Sequence, residues 1–189
     1  MRFVSGVLVL LLSLFAAPSL RASDDIELHS FNVSTSGGWF RFSARASVPV
    51  DEEVRSALAT GVTINLKLRA LVEKKSKYWF DEGVKDLQVQ RELSWNALSE
   101  RYVLRYGSGE GEAGRQQTFS TLEDALMAAG IVENWPIVAE NELDADATYE
   151  FSMQASLRRG RMPTTLKDLT FWTRYWNHRS EWQSWTLRR

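Results

Sequence analysis

The sequence predicts a mainly β protein, an antiparallel β-sandwich or open barrel with one or two short helices covering an end. Apolar and polar residues alternate through most of the 189-residue chain, as they do in strands that bury one face. Short segments rich in turn-forming residues separate the alternating runs, which favours hairpins. There is no cysteine, so a packed core rather than disulfide bonds must stabilise the fold.

The first elements are a hairpin and a short helix. Apolar residues alternate over residues 26–33 and 40–48 on either side of a turn at residues 36–38, which contains two glycines. Pro49 and Asp51 then begin a helix over residues 52–60, and Gly61 ends it.

Three strands are predicted next. Apolar and polar residues alternate strictly over residues 62–70, so one face of this strand is expected to be buried and the other exposed to solvent. Residues 84–93 and 101–106 are predicted as an antiparallel pair joined by a turn at residues 95–99.

The second half of the chain begins with a glycine-rich run at residues 107–114. Glu110 and Glu112 would repel phosphate and no Gly-Lys-Ser/Thr follows, so we interpret this run as a connection between strands. Ser120 and Glu123 form a capping-box pattern for a helix that Gly130 ends. Its predicted apolar face comprises Leu122, Ala125, Leu126 and Ala129. Strands follow at residues 149–157 and 181–187, with a less regular segment at residues 163–172 between them.

The first 22 residues have the pattern of a signal peptide: Arg2, an apolar run, Pro18, and small residues before a cut after Ala22. Retention of this segment as a membrane anchor is the alternative. The expected mature protein is a single β-rich domain at residues 23–189 located in the periplasm, with 21 basic and 24 acidic residues and a net charge of -3. This balance argues against nucleic-acid binding. Without cysteine, the chain has no site for a lipoprotein acyl group.

Short aromatic motifs at residues 78–82, 134–136 and 176–185, together with the helix start at 120–126, resemble a proteobacterial family of small exported proteins of unknown function. The resemblance covers nearly all of the mature chain. It implies a Gram-negative periplasm. It also implies a possible envelope partner, such as the periplasmic region of a sensor kinase, because some members are encoded beside a nitrogen-regulation sensor kinase and response regulator. It supplies no catalytic residues.

The 8 tryptophans are the main candidates for a binding surface. Trp182 and Trp185 have opposite parity, so in a regular strand one faces the core and the other faces solvent. An exposed tryptophan beside arginine would anchor a partner protein or a glycan. The predicted partner-binding residues are Trp79, Asp81, Glu82, Trp176, Arg179, Glu181, Trp182 and Trp185.

The predicted role is therefore a non-enzymatic binding or accessory protein without a cofactor or metal. His29 and His178, the two imidazoles, have no second ligand at a suitable spacing and are expected to be solvated on strands. One alternative is a carrier of an apolar ligand in a barrel cavity lined by strand residues such as Ile64, Leu66, Phe151 and Met153. Another is a glycan hydrolase that pairs Asp81 or Glu82 with Glu181.

Overall fold

A computed structural model describes residues 25–76, 80–107, 114–162 and 178–187. It confirms the mainly β prediction: two antiparallel sheets and two helices enclose a hydrophobic core, and the sheets do not close into a barrel. The predicted signal peptide, the middle of the glycine-rich run and the segment at 163–172 lie outside the described residues. Within the described ranges, no helix has the length and apolar character needed to cross a membrane.

The short sheet has the order β1-β2-β7, with β1 at Glu27–Ser36, β2 at Trp39–Ser47 and β7 at Ile131–Ala139. Gly37 and Gly38 form the predicted turn with φ values of 61° and 76°, a left-handed conformation that two-residue hairpin turns favour. A register shift in β1 between His29 and Phe31 accounts for the change in apolar phase there.

The long sheet has the order β10-β8-β3-β4-β5-β6, and β9 pairs with β8 along the same edge as β10. The predicted alternation of residues 62–70 is confirmed, although β3 extends four residues further. The strands are β3 at Ile64–Lys74, β4 at Glu82–Asn96, β5 at Arg101–Tyr106, β6 at Gln116–Phe119, β8 at Tyr149–Arg159, β9 at His178–Arg179 and β10 at Gln183–Leu187.

Strand β7 was not predicted, because its sequence lacks a period of two. Asn134 has a φ of 49°, one register shift with β2 spans it and a second lies between Pro136 and Val138, so buried residues do not alternate regularly. Pro136 is tolerated because β7 lies at the edge of its sheet. A short 3-10 helix at Glu140–Glu142 follows.

Both predicted helices are present. Helix α1 spans Glu52–Ala59, and the Asp51 carboxylate accepts a hydrogen bond from the Val54 amide at 2.6 Å. Helix α2 spans Leu122–Gly130, but its N-cap is Thr121 rather than the predicted Ser120. Thr121 and Asp124 have the same spacing as Ser120 and Glu123, and starting one residue later makes the buried Leu122 the first helical residue.

The core lies between the facing sides of the two sheets, with α2 packed at one end. Phe42 of β2 and Phe151 of β8 meet across it with ring centroids 4.7 Å apart. The predicted buried faces of β3 and α2 are confirmed: their inward residues are Ile64, Leu66, Leu68, Ala70, Leu122, Ala125, Leu126 and Ala129.

Gly130 allows α2 to approach β2 closely, so we expect Gly130→Ala to destabilise the protein. A Cβ atom there would lie 2.0 Å from the carbonyl oxygen of Ala46, a backbone atom that moves only with its strand. Overpacking of this kind costs about 1–3 kcal/mol of unfolding free energy, measurable by urea denaturation. The control is Gly83→Ala, since a Cβ there meets nothing within 4 Å. Equal midpoints for the two variants would contradict the close approach.

Candidate functional site

Asp81, one of the predicted binding residues, is held in a local ion-pair network. Its carboxylate accepts hydrogen bonds from Lys75 Nζ at 2.5 Å and from the Ser76 amide at 3.0 Å. Lys75 Nζ also lies 3.3 Å from Glu150 Oε1. The lysine hydrogen bond, followed by the Ser76 amide, lowers the pKa of Asp81. The carboxylate is therefore kept ionised, which does not suit a general acid.

The predicted pairing of Asp81 or Glu82 with Glu181 is wrong in its geometry. Glu82 pairs with Lys74 of β3, and Lys74 in turn pairs with Tyr149 at one end of β8. Glu181 precedes Gln183, which pairs with Met153 further along β8, so the backbones of Glu82 and Glu181 are about 13 Å or more apart along the strand direction, and three strand spacings of about 4.8 Å separate them across the sheet. Glycosidase carboxyl groups lie about 5–9.5 Å apart.

The predicted carrier cavity is also contradicted, because its proposed lining is packed core. Ile64, Leu66, Phe151 and Met153 are all buried in the cluster between the sheets. An open sandwich filled by side chains leaves no interior there for a lipid chain.

Trp182 and Trp185 differ in solvent exposure, as their opposite parity predicts. Trp185 is half-buried at the seam between the sheets, with its ring centroid 3.7 Å from that of Phe31 and 5.7 Å from that of Phe151. Trp182 is 40% exposed. Trp79 and Trp176 lie outside the described residues.

A break in the edge strand positions Trp182. Between the pairing of Arg179 with Ser156 and that of Gln183 with Met153, the edge strand has one residue more than β8. Ser180 anchors the break: its amide donates to the Ala155 carbonyl at 2.9 Å, and its hydroxyl accepts from the Ala155 amide at 2.9 Å. These two hydrogen bonds keep the edge strand attached to β8 despite the extra residue, and Trp182 lies within this break.

Arg69 of β3 lies beside Trp182, with its guanidinium carbon 6.0 Å from the indole centroid, within cation–π range. The Arg69 guanidinium donates to both carboxylate oxygens of Asp86, at 3.0 and 2.6 Å. This bidentate bond raises the pKa of Arg69 and lowers that of Asp86, so both groups stay charged and the guanidinium is held in place.

We call the surrounding solvent side of the long sheet the Trp182 face. In the strand register Arg69 is opposite Gln154, and Lys67 is opposite Ser156, which in turn pairs with Arg179. The alternation of residues 62–70 places Lys67 and Arg69 on a solvent-exposed face, but only the sheet order brings Arg69 beside Trp182. The face comprises Lys67, Arg69, Asp86, Gln154, Arg179 and Trp182.

Beside this edge lies a cleft of about 400 Å³ between the start of β1 and the residues around the strand break. Glu181 lines it, and Gln183 bridges it by donating from Nε2 to the Leu28 carbonyl at 3.4 Å. Its lining mixes both charges, so the geometry selects no ligand class: Asp25, Ile26, Glu27, Leu28, His29, Arg179, Ser180, Glu181 and Gln183.

The histidines do not form a metal site in the part of the chain that the structure describes. His29 is exposed on β1, as predicted, with Nε2 3.6 Å from Glu27. His178 was expected to be solvated but is mostly buried, with Nε2 3.3 Å from the Asp51 carboxylate at the start of α1. Among the described residues, no three His, Asp or Glu side chains are grouped as a metal would require.

A second polar depression, of about 270 Å³, surrounds Arg91 of β4 and was not predicted. Arg91 is only 3% exposed, and its Nη1 donates to the carbonyl oxygens of Ala128, Ala129 and Ile131 at 3.1, 2.7 and 2.5 Å. In the alternating pattern of β4, Arg91 lies on the same side as the core residues Val89 and Leu93. This alternation was the sequence signal that could have predicted its burial. Arg91 thus stabilises the C-terminal end of α2.

Comparison with known proteins identifies a family without assigning an activity. No curated protein and no solved structure matches the chain. The family model described as "Domain of unknown function (DUF4390)" matches residues 23–186, nearly all of the chain beyond the predicted signal peptide. The chain therefore belongs to the DUF4390 family.

Proposed function

We propose that this protein is a non-enzymatic binding protein of the periplasm that recognises an envelope partner through the Trp182 face. The observation that carries the proposal is the exposed Trp182 with Arg69 held beside its ring by Asp86. Tryptophan and arginine are the residue types that most often dominate binding energy at interfaces. A guanidinium already fixed in position loses little conformational freedom when a partner binds.

The apolar leader supports the periplasmic location, and so does the family match, which begins at residue 23 directly after the expected cut. The proposed partner is an envelope protein such as the periplasmic region of a sensor kinase. In this proposal Trp185 acts structurally, since it packs against Phe31 and Phe151 at the seam.

Crosslinking of the full-length tagged chain, recovered from the periplasmic fraction, tests this proposal. We expect Trp182→Ala to reduce capture of a specific envelope partner at least about tenfold, as loss of an interface hot spot would. Trp39→Ala is the matched control, because Trp39 is 39% exposed on the short sheet and should leave capture unchanged.

Equal partner recovery from the two variants would contradict the proposed surface. Absence of any specific partner with the unaltered protein, or its absence from the periplasmic fraction, would contradict the proposed function itself.

A further inference from the structure

Three sheet edges in the described ranges are interrupted in ways that discourage pairing with another strand. The β7 edge contains Pro136, and the β1 edge has a register shift beside His29. The edge formed by β9 and β10 has the extra residue beside Ser180. Natural sheets use prolines and bulges of this kind to prevent association at open edges. The β6 edge differs, because its register with β5 has no shift and Gln116–Phe119 contains no proline or charged residue.

The outer side of β6 presents a short row of backbone hydrogen-bonding groups. The Tyr106 amide of β5 donates to the Arg115 carbonyl at 2.9 Å, so these two residues are a hydrogen-bonded pair at the start of the β5–β6 ladder. Such pairs recur at every second residue of an antiparallel ladder. The N–H and C=O groups of Gln116 and Thr118 lie between them and point away from β5, where the described residues supply no further strand.

A groove of about 380 Å³ lies beside this row, between β6 and α2, and Thr118 is part of its wall. Arg101 and Asp124 line it as one group of each charge, so charge selects no ligand. Met127 of α2 is 55% exposed there. The apolar residues of the groove are Phe119, Met127, Ala128 and Ile131.

We infer that β6 binds an extended segment of a partner protein, which adds a strand to the long sheet and places apolar side chains in the groove. An added strand hydrogen-bonds to the outward backbone groups of Gln116 and Thr118, whereas a lipid chain has no groups to do so. Side chains of a strand alternate between its two sides, so every second residue of the segment faces α2.

The length of β6 argues against a second copy of the chain as the occupant. Two four-residue edges paired with each other extend only about 13 Å, whereas a stable interface buries roughly 1,200 Å² or more. This surface lies at the opposite edge of the long sheet from the Trp182 face, so the inference goes beyond the proposed function.

The probe is a fluorescein-labelled peptide of about eight residues in which threonine alternates with valine or leucine. It is titrated with the protein purified from the periplasmic fraction and followed by fluorescence anisotropy. Two further forms carry N-methyl groups on alternate residues, in one register or the other. We expect one form to bind at least about tenfold more weakly, because its methyl groups replace the amide hydrogens that bond to β6, and the other to bind as the parent peptide does.

Thr118→Pro removes an outward amide hydrogen from β6 without removing a bond to β5, and edge strands tolerate proline in this position. It should weaken peptide binding at least about fivefold. Met127→Lys should weaken it about two- to tenfold through loss of apolar contact, and this variant decides the matter if Thr118→Pro does not fold. The matched control is Leu98→Lys, at a fully exposed residue in the turn between β4 and β5, which should leave affinity unchanged.

Equal weakening by Met127→Lys and Leu98→Lys would overturn the inference. Unchanged binding of both N-methylated forms would also overturn it, because side chains alone would then be recognised. A dimer of the protein alone that Thr118→Pro abolishes would overturn it in favour of a second copy. Trp182→Ala should leave peptide binding unchanged, and an equal loss in this variant would place the peptide at the Trp182 face instead.

Discussion

Replacing Arg91 with alanine is expected to lower the free energy of unfolding by about 3–5 kcal/mol, because it removes a buried cation that satisfies three backbone carbonyls. Those carbonyls belong to Ala128, Ala129 and Ile131 at the end of α2, and the bond to Ala129 is fully buried. The substitution also leaves a cavity beside Tyr106, whose ring centroid lies 4.8 Å from the guanidinium carbon. Urea denaturation measures this loss of unfolding free energy, with the dependence of the free energy on urea concentration fitted for each variant.

The matched control is Arg115→Ala. The Arg115 guanidinium lies 5.0 Å from the same Tyr106 ring, but the residue is exposed, so its removal should cost less than about 1 kcal/mol. If Arg91→Ala does not fold, Arg91→Lys keeps the charge without the planar fork and should show an intermediate loss. A stability of Arg91→Lys or Arg91→Ala equal to that of Arg115→Ala would contradict the capping role.

The predictable part of the fold is the part that follows local periodicity. Strand β3 was predicted because Ile64, Leu66 and Leu68 alternate with polar residues, and the pairing of β4 and β5 follows from a short turn. Strand β7 was missed because Asn134 and Pro136 interrupt its alternation, and its place is determined by pairing with a distant strand. Such long-range pairing leaves no local signal in one sequence.

The candidate site was predictable to a similar extent. Parity indicated that Trp182 and Trp185 would differ in exposure, and composition drew attention to both. Arg69 could be placed on a wet face but not beside Trp182, because β3 and the edge strand are separated by β8 in an order that the sequence does not state. The proposed pairing of Asp81 with Glu181 failed for the same reason: proximity to aromatic residues along the chain does not specify distance across a sheet.

Replacing Phe151 with alanine is expected to destabilise the protein by about 3–5 kcal/mol, because its fully buried ring packs between Phe42 and Trp185. The matched control is Phe80→Ala. Phe80 is 98% exposed, so the same chemical change there should alter the unfolding free energy by no more than about 0.5 kcal/mol.

The stabilities of Phe151→Ala and Phe80→Ala also show whether the space around Phe151 is a packed core or a cavity for a ligand. If the space around Phe151 held an apolar ligand, removing the ring would enlarge that space at little cost, and the unaltered protein would bind an apolar fluorescent probe such as N-phenylnaphthylamine. A core packed by side chains gives the opposite result: a large loss of stability for Phe151→Ala, little for Phe80→Ala, and no probe binding by the unaltered protein. Phe42 and Trp185 contact the Phe151 ring from the facing sheet and the edge strand, so the cost of its removal measures how firmly the two sheets are joined beside the Trp182 face.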